Sequence, residues 1–82
     1  MKKPEVVAAL RAANPYASDT EVNVFASALL EHRAAQANID ENGTIVFHPT
    51  TAAPITNPFV AVRDSTARTL LKLGLKTGDL WR

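Results

Sequence analysis

"HPTTAAPITNPFVAVRD", His48 to Asp64, is the stretch on which the fold turns. A His-Pro step, a polar turn, a second proline and then Asn-Pro run straight into an amphipathic segment. Pro49 and Pro54 have no N–H to give to a ladder, so β structure here is limited to a small ribbon with open edges. The four residues just upstream, "TIVF" at Thr44 to Phe47, are the only run with clear β character. Their partner is "PIT" at Pro54 to Thr56, across a turn at Pro49 to Ala53. A two-stranded ribbon is marginal alone and must lean on helices. Asn57 is placed to cap the next helix and Pro58 to occupy its first position, where a missing N–H costs nothing. In that helix Phe59, Val62, Thr66, Leu70 and Leu73 share one face, flanked by Val60, Ala67 and Leu71. Gly74 ends it, and Leu75 can fold back on its last turn. His48 itself reads as a packed or hydrogen-bonded turn residue.

Upstream, "SDTE" at Ser18 to Glu21 has the spacing of a capping box. Val22, Phe25, Ala26 and Leu29, then Ala35 or Gln36, keep a helical period, and little interrupts it before "DENG". The spacing predicts a helix of about 22 residues, roughly 33 Å long. Ala34, Ala35 and Ala37 allow close approach of a neighbour, and Gly43 is the expected C-terminal cap. A shorter helix precedes it: Pro4 suits a first turn, Val6, Val7 and Leu10 form a stripe, and Asn14-Pro15 stops it. The predicted architecture is therefore mainly α, with helices at about 4–13, 18–41 and 58–74 and a β-ribbon at about 44–56. The aromatics Tyr16, Phe25, Phe47, Phe59 and Trp81 are expected mostly at core positions.

Eighty-two residues make a single domain with a modest core, and chains of this size often gain stability by self-association. The absence of cysteine removes disulfides and thiolate metal sites from consideration. No apolar run approaches the roughly 20 residues that span a bilayer, so no membrane role is expected and a cytoplasmic setting fits. The net charge of +1 hides a split. Lys2, Lys3 and Arg11 against Glu5 make the first segment basic. Arg33 against Asp19, Glu21, Glu31, Asp40 and Glu41 makes the long helix acidic. Residues 43–57 carry no charged side chain, and Arg63, Arg68, Lys72 and Lys76 against Asp64 make the last helix basic. Such asymmetry suits head-to-tail association or DNA contact confined to certain faces.

Catalytic chemistry is hard to build from these residues, and no enzyme activity, metal site or cofactor is expected. Glu31 and His32 are adjacent and point about 100° apart on a helix, and "EHR" lacks the second histidine of the HExxH zinc pattern. Two histidines make a poor zinc cage. The serines have no base nearby in sequence, and the glycines form no phosphate-cradling pattern. Binding to double-stranded DNA has more support. Lys2, Lys3, Arg11, Arg63, Arg68, Lys72 and Lys76 are the candidate phosphate contacts, weak and salt-sensitive in a single subunit. The aromatics are not interleaved with these cations as in a stacking platform for single strands. A helix-turn-helix regulator would need a basic second helix, and this one is acidic.

In order and spacing, "HPTTAAPITNPFVAVRDSTARTLLKLGL" resembles the small-subunit family of phage terminases from HK97-type tailed phages. The residues that carry the resemblance are His48, Pro49, Pro54, Asn57, Pro58, Arg63, Asp64, Ala67, Leu70, Leu73, Gly74 and Leu75, after a long helix ending in Glu41 to Gly43. The resemblance spans about residues 20–76 of a chain that would be a short member of that family. It implies a mainly helical subunit that assembles into a ring, recognises viral DNA in the host cytoplasm and serves DNA packaging in virion assembly. The DNA would be presented to a large terminase subunit, the ATPase–nuclease, and no catalytic residue comes with the resemblance. Expected subunit contacts are Phe25, Leu29 and Arg33 on the long helix and Leu80 and Trp81 in the tail. The alternative reading is an oligomeric adaptor that binds protein and not DNA, favoured by the acidic long helix and near-neutral total charge.

Overall fold

Three helices and one antiparallel ribbon make up the computed structural model, which describes residues 2–78. In chain order they are α1 (Lys3–Ala13), α2 (Asp19–Asn42), β1 (Ile45–Phe47), β2 (Pro54–Thr56) and α3 (Pro58–Leu73). Each predicted element is present, with ends within a few residues of expectation.

The local chemistry sets the boundaries. At the start of α2 the Glu21 amide donates to Ser18 Oγ at 3.1 Å and the Ser18 amide to the Glu21 carboxylate at 3.3 Å. These reciprocal bonds complete a capping box. The helix then runs 24 residues, about 36 Å at the α-helical rise. Gly43 closes it with φ +85°, a region that side-chain-bearing residues rarely enter, while its N–H donates to the Ile39 carbonyl. At the other boundary the Phe59 amide donates to Asn57 Oδ1 at 3.0 Å, with Pro58 opening α3 as the sequence predicts. Gly74, left-handed at φ +61°, ends α3.

The ribbon pairs Ile45 with Thr56, Val46 with Ile55 and Phe47 with Pro54. Its loop is closed by the His48 amide donating to the Ala53 carbonyl at 2.9 Å and the Ala52 amide to the His48 carbonyl at 2.8 Å. Inside the loop, His48 Nδ1 accepts from the amides of Thr50 and Thr51 at 3.1 and 3.3 Å. His48 is thus the hydrogen-bonded turn residue its position suggests. Ala52 sits at φ +57°, a left-handed conformation that costs a non-glycine residue about 1–2 kcal/mol.

The apolar core lies where α1, the first half of α2 and the end of α3 meet. Val6, Leu10, Val22, Phe25, Ala26 and Leu29 are buried there, with Leu70, Leu73 and Leu75 packed against them. Each large side chain so buried contributes roughly 1.5–3 kcal/mol of transfer free energy. Beyond this core α3 runs antiparallel to α2, where Ala28, Ala35 and Ile39 are buried on α2. The one buried residue of α3 is Thr66, 6% exposed. Its hydroxyl donates to the Val62 carbonyl at 2.7 Å, and His32 Nδ1 lies 3.2 Å from both that hydroxyl and the Arg63 carbonyl.

Two asparagines tie the ends of this hairpin. Asn57, 2% exposed, donates through Nδ2 to Asn38 Oδ1 and to the Gly43 carbonyl, both at 2.9 Å. Asn14 does the same at the opposite end: its side chain donates to the Lys76 carbonyl and accepts from the Lys76 amide. The result is an elongated molecule of 50 × 21 × 18 Å, with the ribbon at one end and the α1–α2 turn at the other.

One expectation is corrected. Of the described aromatics only Phe25 is in the core; Tyr16 is fully exposed, Phe47 71% and Phe59 39% exposed. α1 packs at the other end of the α2–α3 hairpin, so among the described residues no third helix covers the ribbon or the first turn of α3. Val62, placed on the apolar face by its spacing, is likewise partly exposed.

Candidate nucleic-acid interface

Seven cations form the candidate phosphate-binding set, and the fold treats them unequally. Arg11 in the last turn of α1 is ion-paired with Asp19 in the first turn of α2. Arg63 pairs with its neighbour Asp64 at 3.2 Å. Each of these guanidinium charges is offset by a carboxylate within contact distance, which lowers its pull on an approaching phosphate. Among the described residues no carboxylate pairs with Lys2, Lys3, Arg68, Lys72 or Lys76, and all five are exposed. Lysine and arginine at exposed positions are what backbone contact needs, because a phosphate is held by charge with little demand on geometry.

The arrangement unites two segments far apart in sequence. A cleft of about 410 Å³ between the start of α1 and the α2–α3 pair is lined by Lys3, Asn23, Ser27, Glu31, Ser65 and Thr69, among others. Lys3 therefore lies beside the Ser65–Thr69 flank of α3. Lys72 follows Thr69 by three residues and Ser65 by seven, which puts it on the same flank of the helix. The surface that results carries the N-terminal lysines, Lys72 and several hydroxyls. Its one interior acid is Glu31, which opposes an anion there. Lys76 lies at the far end, its backbone fixed by Asn14.

Sequence spacing did not reveal the Lys3–Ser65–Thr69 juxtaposition, since it depends on where α1 crosses the helical hairpin. The hydroxyls gave a faint signal: Ser65, Thr66 and Thr69 interrupt an otherwise apolar and basic helix. His48 sits apart from this surface in the ribbon loop, whereas His32 lies in the α2–α3 seam with Nδ1 3.2 Å from the hydroxyl of Thr66, which also lines the cleft.

The expected subunit contacts divide as well. Phe25 and Leu29 are taken up inside the subunit, at 3% and 0% exposure, so their side chains present almost nothing to a neighbour. They face α1 and the end of α3 because the apolar stripe of α2 is consumed by its own chain. Arg33 is partly buried on α2, and Leu80 and Trp81 lie outside the described residues. Exposed apolar surface occurs elsewhere, at Ile45, Phe47, Phe59 and Leu71.

Among the described residues no helix is long and apolar enough to cross a membrane. No family model, no curated protein and no solved structure matches the chain.

Proposed function

We propose that this chain is a small-terminase-like DNA-packaging protein. It self-associates, holds viral or donor DNA by the phosphate backbone and presents it to a large terminase subunit that performs the chemistry. The observation that carries the reading is the meeting of Lys3 with the Ser65–Thr69 flank of α3, to which the helical spacing adds Lys72, so that two short basic segments share one surface. The order His48-Pro49, Pro54, Asn57-Pro58, Arg63-Asp64 and Leu73-Gly74-Leu75 supports the family part of the proposal. A ring would multiply a weak site by raising its effective concentration along one DNA molecule.

Duplex binding measured by fluorescence anisotropy at several salt concentrations tests it. Affinity should fall steeply with salt, and each phosphate contact removed should lessen the log–log slope by about 1. Charge reversal of Lys3 and Lys72 should weaken binding several-fold more than reversal of Arg11 and Arg63, which already face carboxylates. Binding that ignores salt, or is unchanged in the Lys3/Lys72 variant, sinks the DNA reading. The adaptor alternative would then stand, supported by the acidic exposed side of α2.

A further inference from the structure

Among the described residues, exposed apolar surface includes one patch on the ribbon and another toward the opposite end of the helical hairpin. At one end the outer face of the ribbon exposes Phe47 and Ile45, the latter by 54%, within residues 43–57 that hold no charged side chain. At the other a groove of about 460 Å³ runs between the first half of α2 and the last turns of α3. Leu70 and Leu75 line it above the buried Phe25 and Leu29, His32 also lines it, Leu71 stands 83% exposed on α3, and among the described residues no Asp, Glu, Lys or Arg lines it. Exposed apolar patches of this kind mark surfaces that meet another macromolecule.

The charges around the two surfaces are of opposite sign. Asp40 and Glu41, exposed in the last turn of α2, immediately precede the ribbon. Arg68, one turn before Leu71 on α3, and Lys76, next to Leu75, are exposed beside the groove. A second copy brought ribbon-first to the groove therefore sets an acidic rim against a basic one, around a neutral apolar centre. Two ribbons brought together would instead set Asp40 and Glu41 against their own kind, and two grooves would do the same with Arg68 and Lys76.

We propose that subunits associate head to tail, the Ile45/Phe47 face of the ribbon on one copy seating in the Leu71-rimmed groove of the next. This contact deepens the self-association in the function proposed above and rests on that part of it. It is heterologous, so every subunit keeps one surface of each kind and the contact repeats along a ring or a filament. Because Lys72 shares the Ser65–Thr69 flank of α3 and the groove is lined from the Ala67–Leu71 side, the seated ribbon covers neither Lys3 nor Lys72.

The decisive experiment uses complementary variants, Phe47→Asp and Leu71→Asp, in sedimentation velocity without DNA. Wild-type protein should grow in mass with concentration over tens to hundreds of micromolar, while each variant alone stays monomeric. Their equimolar mixture should form a heterodimer of one copy of each and nothing larger, since one intact ribbon meets one intact groove. Both positions are exposed, and circular dichroism checks that each variant folds. Ile45→Asp with Leu71→Arg repeats the test if Phe47→Asp disturbs the ribbon. A wild type that associates while the mixture stays monomeric overturns the ribbon-to-groove contact and leaves self-association standing. Association retained by Leu71→Asp alone also overturns it, in favour of a ribbon-to-ribbon contact. A wild type that is monomeric throughout removes both the contact and the self-association.

Discussion

The two ends of this molecule are held by different forces. At the α1 end, buried side chains such as Val6, Leu10, Val22 and Leu29 have no solvent exposure. At the ribbon end the fixing element is one buried amide, Asn57, bonded to Asn38, Gly43 and Phe59, with apolar side chains left outside. Apolar burial is large and non-directional, whereas a polar node is smaller in energy and strict in geometry. The first end supplies stability, and the second fixes the direction in which the ribbon leaves the hairpin.

The largest expected effect tests the first half of that contrast. Leu29→Ala removes a fully buried side chain at the junction of all three helices and should cost about 2–5 kcal/mol. In a urea titration the whole transition should move to lower denaturant, ribbon included. A loss confined to α1 would mean the core is not shared.

Next in size is Asn57→Ala. It deletes the cap of α3 and leaves the Gly43 carbonyl and the Asn38 side chain without their partner, for about 1–3 kcal/mol. Amide exchange should accelerate more across Ile45–Thr56 than in α1, because the damage lies at the ribbon end. Uniform acceleration in both regions would erase the distinction between the ends.

The smallest change runs the other way. Ala52→Gly should stabilise the protein by about 0.5–1 kcal/mol by relieving a left-handed alanine, partly offset by the freer unfolded chain. The gain should appear as slower exchange of the His48 and Ala52 amides. A destabilised variant would show that the loop does not hold that backbone angle in solution.

How much of this was legible beforehand follows from the range of each interaction. The Ser18–Glu21 box, the Asn57-Pro58 start and the Gly43 and Gly74 stops are decided within three or four residues, and the sequence displays them. The register of Ile45–Phe47 against Pro54–Thr56 is nearly as local, because a short loop fixes it. Asn57 was readable as a cap but not as the link to Asn38, nineteen positions away. The burial of Phe25 and the exposure of Phe47 have a similar cause, since both are aromatic within apolar runs. Only the point where α1 crosses α2 covers one and leaves the other bare. For the candidate site, the seven cations were visible as a composition, but which ones face carboxylates and which share a flank required the helix packing.

The two histidines carry one further consequence, in the placement of protons. The Arg63 carbonyl can only accept, and the Thr66 hydroxyl spends its hydrogen on Val62, so His32 must bear hydrogen on Nδ1. The loop imidazole is the opposite tautomer, since Nδ1 of His48 receives two amide hydrogens and must be bare. The imidazole nitrogen chemical shifts of the two rings would report these opposite tautomers separately, one for the helical seam and one for the ribbon tip.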